Sequence, residues 1–306
     1  MAVDRSPNMA RIFVTGGTGF VGRGILRELH RQGFSIRCLV RPGSEAKLPL
    51  RDGVEIVHGD LRESASLESA ASGCGAVIHL VGIIREFPRQ EITFQNLHVE
   101  ATRQVLKIAR TSGVSRYLHM SALGVRKGAA AAYHRSKWEA EELVRNSGLP
   151  FTIFRPSVIV GPEGEFMRMI SRLVRLAPLV PVIGDGRYRL QPVALETVAK
   201  GFAAALRSRE AEGKTFDVAG PDPVTYNEFL DIVGTCLGKK VRRLHHPLVL
   251  MRPLVSVLEK FPFFPLTSNQ LTMLLENNTT DPTLFYRTLD LESISLEETL
   301  RRALQP

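Results

Sequence analysis

Two short stretches of this chain hold residue types that chemistry needs at fixed spacing. The first is Thr15-Gly16-Gly17-Thr18-Gly19-Phe20-Val21-Gly22. Gly16 would let a strand turn sharply, Gly19 would let backbone approach a phosphate, and Gly22 would let a following helix pack closely. Unpaired N–H groups at that helix N-terminus then suit a pyrophosphate. The second stretch is Tyr133-His134-Arg135-Ser136-Lys137. Four residues make about one helical turn, so the phenol and the ammonium share a face. The ammonium is expected to lower the phenol's pKa and to hold a nicotinamide ribose, so that Tyr133 can trade a proton with a carbonyl or alcohol.

Both stretches depend on the elements around them. The β-branched and aromatic run Ile12-Phe13-Val14 precedes the glycines as a strand, and Ile25-Leu26-Arg27-Glu28-Leu29 follows with helical apolar spacing. Further strands are predicted at residues 35–40, 54–57, 76–80, 115–120 and 151–154. A long helix is predicted over 91–110, with Phe94, Leu97, Ala101, Val105 and Ile108 along one face, and another over 133–146. Strands separated by helices of this length imply right-handed crossovers. The fold class is therefore α/β, a Rossmann-type doubly wound parallel sheet over residues 10–160. From Gly161 the rhythm breaks. Helices at 165–176, 195–207, 226–237 and 248–260 mix with short strands at 215–218 and 240–244. Residues 161–306 are thus expected to form mainly a smaller C-terminal capping lobe for substrate or partner, with some elements returning to the Rossmann core.

The second strand bears on the cofactor. A site for NAD(H) usually ends that strand in Asp or Glu, which accepts hydrogen bonds from the ribose hydroxyls. Here it ends Cys38-Leu39-Val40-Arg41, with Lys47 a little beyond. A guanidinium suits a 2′-phosphate and has no acceptor for a hydroxyl, so NADP(H) is preferred, with NAD(H) the alternative. Pro42-Gly43 follows at once, so the competing reading makes Arg41 a solvated turn residue. Asp60-Leu61 is placed to meet the adenine edge, and Gly82 to admit the ribose.

Composition sets bounds. The 306 residues carry a net charge of +9, mostly in residues 1–158, which suits a polyanionic ligand. No basic-aromatic motif supports nucleic acid. Cys38, Cys74 and Cys236 lie far apart and fit neither a disulfide framework nor a zinc site, and no metal is expected. They point to a reducing cytoplasm, with a peripheral place at the inner face of a membrane as the alternative location. Met1 to Met9 is polar, and no apolar run approaches the ~18 residues of a membrane span. Arg168, Arg172 and Arg175 share one face of a predicted helix, read first as solvated and second as a membrane-surface contact. Residues 239–266 mix Lys239, Lys240, Arg242, Arg243 and Arg252 with Leu248, Val249, Leu250, Leu254, Val255, Phe261, Phe263 and Phe264. They read as cover for the chain's own lobe or as a surface facing lipid, quinone or a membrane complex. His245-His246 reads as a surface pair, with no third ligand spaced to join it.

The order TGGTGFVG (15–22), GDL (59–61), HLVG (79–82), YHRSK (133–137) and FRPSVIVGP (154–162), with Gln191-Pro192-Val193, resembles the extended or atypical short-chain dehydrogenases/reductases over essentially the whole chain. Within them, the wording around residues 98–102, 119–124 and 155–157 is similar to bacterial relatives of the NADPH-binding accessory subunit of mitochondrial complex I. The resemblance implies Tyr133 as acid/base, Lys137 as cofactor clamp, Ser121 as substrate donor, and Pro156 and Ser157 beside the cofactor. Two positions depart from the pattern. His98 stands where extended members usually carry Asn, and Ala122 and Leu123 stand where the catalytic Ser or Thr usually falls. Three readings stay open: an NADP(H)-dependent oxidoreductase or epimerase-type enzyme acting on a small molecule; a non-catalytic, NADPH-stabilised accessory or assembly factor of a respiratory or other membrane complex; and a sensor whose partner affinity follows the redox state of the dinucleotide.

Overall fold

The computed structural model describes residues 11–50, 52–63, 67–261, 264, 266–276 and 278–304. Met1 to Met9 and Phe263, weighed above, lie outside them. In the amino-terminal half, strands and helices alternate. β1 (Arg11–Thr15), α1 (Phe20–Arg31), β2 (Ile36–Val40), β3 (Val54–His58) and β4 (Cys74–His79) come first. α2 (Ala101–Thr111), β5 (Arg116–Met120), α3 (Ala132–Arg145) and β6 (Phe151–Pro156) follow. Beyond them lie β7 (Ile159–Val160), α4 (Glu165–Leu176), β8 (Val180–Ile183), β9 (Arg189–Leu190), β10 (Val193–Ala194), α5 (Leu195–Ala205) and β11 (Lys214–Val218). The chain closes with β12 (Val224–Thr225), α6 (Tyr226–Cys236), β13 (Arg243–His246), α7 (Leu248–Leu258), α8 (Ser268–Leu275), α9 (Thr283–Leu289) and α10 (Leu296–Leu304).

One seven-stranded sheet runs in the order β11-β6-β5-β4-β1-β2-β3. Every pairing from β3 through to β6 is parallel. The strand order reverses beside β1, which makes this a Rossmann-like, doubly wound sheet. The strands β1, β2 and β4 are mostly apolar and buried, as expected of a parallel sheet flanked by helices. Ile12, Phe13, Val14, Val77, Ile78, Tyr117 and Leu118 are fully buried.

The chain divides into two compact units that interleave along the sequence. The first takes the chain up to Ser121, then Ser136–Phe154 and Ala199–Phe216; the second takes Ala122–Arg135, Arg155–Val198 and Asp217 onward. The core of the first includes Phe13, Leu39, Leu61, Val105 and Ile153. The second has its own core around Ile170, Val182, Tyr226, Phe229 and Leu300, and three two-stranded sheets. Thr225 begins α6 with a reciprocal cap, its hydroxyl accepting from Glu228 N–H while the Glu228 side chain accepts from Thr225 N–H.

The structure changes two predicted elements. The helix expected from residue 91 starts later, and its first part, Gln95–Glu100, is π-helical before it tightens into α2. The strand expected at 240–244 lies further along, at Arg243–His246, where it pairs in parallel with β8.

Candidate functional site

The glycine run forms the turn between β1 and α1. Gly16 holds φ at +79°, and a side chain there would press on the Leu80 backbone. A Cβ on Gly22 would lie 2.2 Å from the Gly16 carbonyl oxygen, so α1 starts hard against the loop itself. Gly19 is the N-cap of α1, and no side chain caps it. The first turn of α1 holds no acidic residue. The loop is braced instead by Gly19 N–H donating to the Gly16 carbonyl and by the Arg23 guanidinium donating to the Thr18 carbonyl. Uncapped N–H groups on a helix N-terminus, with small residues before them, fit the pyrophosphate of a dinucleotide.

Other expected cofactor contacts land as follows. The Thr15 side chain points inward, its hydroxyl 2.7 Å from His79 Nδ1. Gly17 rests on the Cys38 sulfur, whose thiol burial pushes up to about 12. Phe20 and Val21 are half-buried in the first turn of α1. Arg41 and Lys47 are exposed beyond β2. The Arg41 side chain makes no hydrogen bond or ion pair among the described residues, though its charge helps lower the Asp60 carboxyl. The larger cause there is Arg62, whose guanidinium grips both Asp60 oxygens at 2.7 and 3.1 Å. Leu61 is buried in the core of the first unit. In the second unit, the Pro156 carbonyl accepts Leu123 N–H, and Ser157 donates its N–H to Val218 and its hydroxyl to Asn278 O at 3.4 Å.

Lys137 is 2% exposed, on α3. Its Nζ donates to the Met120 carbonyl at 3.1 Å and reaches the Val81 carbonyl at 3.5 Å, at the ends of β5 and β4. A Cβ on Gly82 would come within 2.9 Å of Nζ and 3.5 Å of His98 Nε2, so a residue without a side chain is needed where the two converge. Burial lowers the Lys137 pKa to about 8, against the pull of Glu141 in the opposite direction. Tyr133 lies one turn earlier in the same helix and is 8% exposed. The expected depression of its phenol is not found: burial raises it to about 12. Desolvation penalises the phenolate, and it is the cause of the rise.

Ser121 does not present a free hydroxyl. It donates to Glu141 Oε1 at 2.5 Å, and the other Glu141 oxygen takes the Arg145 guanidinium, also at 2.5 Å. Ala122 and Leu123 have no hydroxyl to take its place.

Around Lys137 the strand ends hold polar groups that spacing alone did not reveal. His79 accepts from Thr15 and shares a 3.1 Å contact with Thr102 Oγ1, which donates to the His98 carbonyl at 2.6 Å. The arrangement that satisfies every group places the His79 proton on Nε2. Burial, with Lys137 as the second cause, lowers the His79 pKa to about 3. His98 sits in the π-helical turn and stacks on Phe94. Its Nε2 accepts Ile83 N–H at 3.0 Å, and its Nδ1 lies 2.8 Å from Ser136 Oγ. His119 faces His79 across paired strands, and neither ring nitrogen has a hydrogen-bond partner among the described residues. Desolvation holds both His98 and His119 well below the usual imidazole range. The available sequence signal was a histidine at the end of β4 and another one residue before the end of β5.

The profile of the "NAD dependent epimerase/dehydratase family" matches residues 12–219. The chain belongs to that family. Among curated relatives, it is 28% identical over 296 residues to "NADH dehydrogenase [ubiquinone] 1 alpha subcomplex subunit 9, mitochondrial" of Arabidopsis thaliana, covering 92% of this chain and 73% of the relative. It is 28% identical over 236 residues to "Ceramide reductase" of Caulobacter vibrioides, covering 77% and 73%. The fold matches the UDP-glucose 4-epimerase of Thermotoga maritima with a TM-score of 0.74 at 17% identity, over 96% of this chain and 97% of that one. No helix among the described residues is long and apolar enough to cross a membrane, and no group of three metal-ligating side chains occurs among them.

Proposed function

We propose that the chain binds NADP(H) on the loop between β1 and α1 and uses it to reduce a carbonyl, or oxidise an alcohol, of a small molecule. The observation that carries this reading is the buried Lys137 ammonium, tethered at the ends of β4 and β5 and one helical turn from Tyr133. The bound dinucleotide supplies or takes up the hydride. Tyr133, with its pKa raised to about 12, stays protonated at neutral pH and so can donate its proton to a developing alkoxide. The Lys137 cation then stabilises the phenolate left behind. The choice of NADP(H) over NAD(H) rests on Arg41, exposed at the end of β2 where an acidic residue would favour NAD(H). The Caulobacter relative, named as a reductase, supports the same chemistry.

A second reading has its own observation. Ser121 is tied to Glu141, and no neighbouring hydroxyl replaces it, so the usual donor to a substrate oxygen is missing. The dinucleotide is then held for stability in an accessory factor of a membrane complex, as the likeness to a mitochondrial complex I subunit supports.

Tyr133→Phe separates the two. As an oxidoreductase, the protein consumes NADPH with a carbonyl panel, and the substitution lowers turnover by roughly a hundredfold or more while NADPH affinity shifts by less than about threefold. Tight NADPH binding in both forms, with no carbonyl consumed by either, makes the holding reading correct.

A further inference from the structure

The apolar surface of the second unit is concentrated along α7 and its flanks. Val249 is 82% exposed and Leu250 66%, while Leu254, Val257 and Phe261 stand out beside them. Within α7 these positions, with exposed Pro253, recur at i, i+1, i+4, i+5 and i+8, which is one face of a helix, and Phe261 follows just beyond its end. Val255, on another side, is the one fully buried residue among the described residues of α7. Leu244 on β13 and Leu179 just before β8 extend the exposed patch along the paired strands that lead into the helix.

The charge around the stripe has one sign. Residues 239–261 contain six Lys or Arg and a single acidic residue, Glu259. Glu259 accepts the Ser268 N–H through its carboxylate. Lys239, Lys240, Arg242, Arg252 and Lys260 are exposed. Arg243 instead pairs with Asp231.

We propose that this face seats α7 in the headgroup layer of an anionic lipid bilayer. Eleven residues are too few to span, but they suffice to lie flat with an aliphatic face among acyl chains and cations at phosphate level. A protein partner fits less well. Protein interfaces concentrate Trp, Tyr and Met at their centre and are depleted of Lys, whereas this face is Val and Leu, with one Phe and a lysine-rich border. The surface goes beyond the dinucleotide reading and does not depend on it.

The test uses the full chain without dinucleotide. It is sedimented with vesicles of phosphatidylcholine alone and of phosphatidylcholine with an equal share of phosphatidylglycerol. Binding to the anionic vesicles, weakened about tenfold or more by salt or by Leu250→Glu with Leu254→Glu, is the expected result. Arg252→Gln with Lys260→Gln should weaken it by about fivefold per cation removed. All four positions are exposed, so the melting temperature should not move; a shift disqualifies the variant, and Val249→Glu replaces it. Failure of the wild type to bind anionic vesicles overturns the proposal, as does equal binding by the glutamate variants. Concentration-dependent dimerisation abolished by the same variants, without vesicle binding, would assign the face to a second copy of the chain instead.

Discussion

The two units differ in where their costliest side chains lie. The first buries a cluster of polar and ionisable groups: His79, His98, His119, Ser121, Lys137 and Glu141 are all at most 3% exposed. The second leaves five large apolar side chains of a single helix and its end open to solvent. Burying a polar group costs free energy unless partners replace water, so an interior of this kind persists where the groups are held in place for use. Exposed aliphatic side chains need no compensation singly, but a continuous stripe of them implies a surface that covers it.

That contrast can be broken most severely at Gly22. A side chain there meets the Gly16 carbonyl and the Gly17 backbone, neither of which can swing away. Gly22→Val should cost several kcal/mol and abolish dinucleotide binding, read by thermal melting and by titration calorimetry with NADPH. Full-strength NADPH binding by this variant would detach the cofactor from the loop.

Acid attacks the buried interior next. His79, His98 and His119 are neutral when folded and take up protons near pH 6.5 once unfolded. Their pKa values are lowered on folding, so the unfolded state binds more protons and stability falls as pH drops below about 6.5. For His79, with its folded value at about 3, the loss at pH 5 is about 2 kcal/mol. Urea unfolding from pH 7 to 5 measures it. His119→Phe, which removes two unpartnered ring nitrogens, should keep or raise stability at pH 7 and flatten the slope. A slope unchanged by this substitution would place the acid sensitivity elsewhere.

The smallest effect is expected at the rim of the first unit. The Arg41 side chain is exposed and makes no hydrogen bond or ion pair among the described residues, so Arg41→Ser should leave stability within ~0.5 kcal/mol. It should weaken NADPH binding about tenfold and leave NADH binding nearly unchanged. Equal loss for both dinucleotides would make Arg41 a general electrostatic contributor with no preference for the 2′-phosphate.

The fold was largely legible because its signals are local. Each strand from β1 to β6 is a segment of five or six residues rich in β-branched, aromatic or other apolar side chains, and glycines mark the turn at Gly16. The interior was less legible. That the Ser121 hydroxyl is bonded to Glu141, twenty residues on, could not be read from spacing. Thr15 heads a phosphate loop in sequence, yet its side chain turns toward His79, sixty-four residues away. Such partners are set by packing across strands, which spacing along the chain does not encode. The shift of the last short strand to Arg243–His246 has a similar cause: its partner β8 fixes its register, while its own mixed basic and apolar sequence does not.

The wide turn at Gln95–Glu100 makes the spacing of this segment intolerant of change. One residue more than an α-helical turn is accommodated there, and each residue of ordinary helix accounts for about 100° of rotation. Deleting a residue within it would straighten the backbone into ordinary helix and swing the His98 imidazole out of reach of Ser136 and Ile83. Homologous chains that share this histidine should therefore match this one in length between β4 and α2, and chains carrying a different side chain there are free to be a residue shorter.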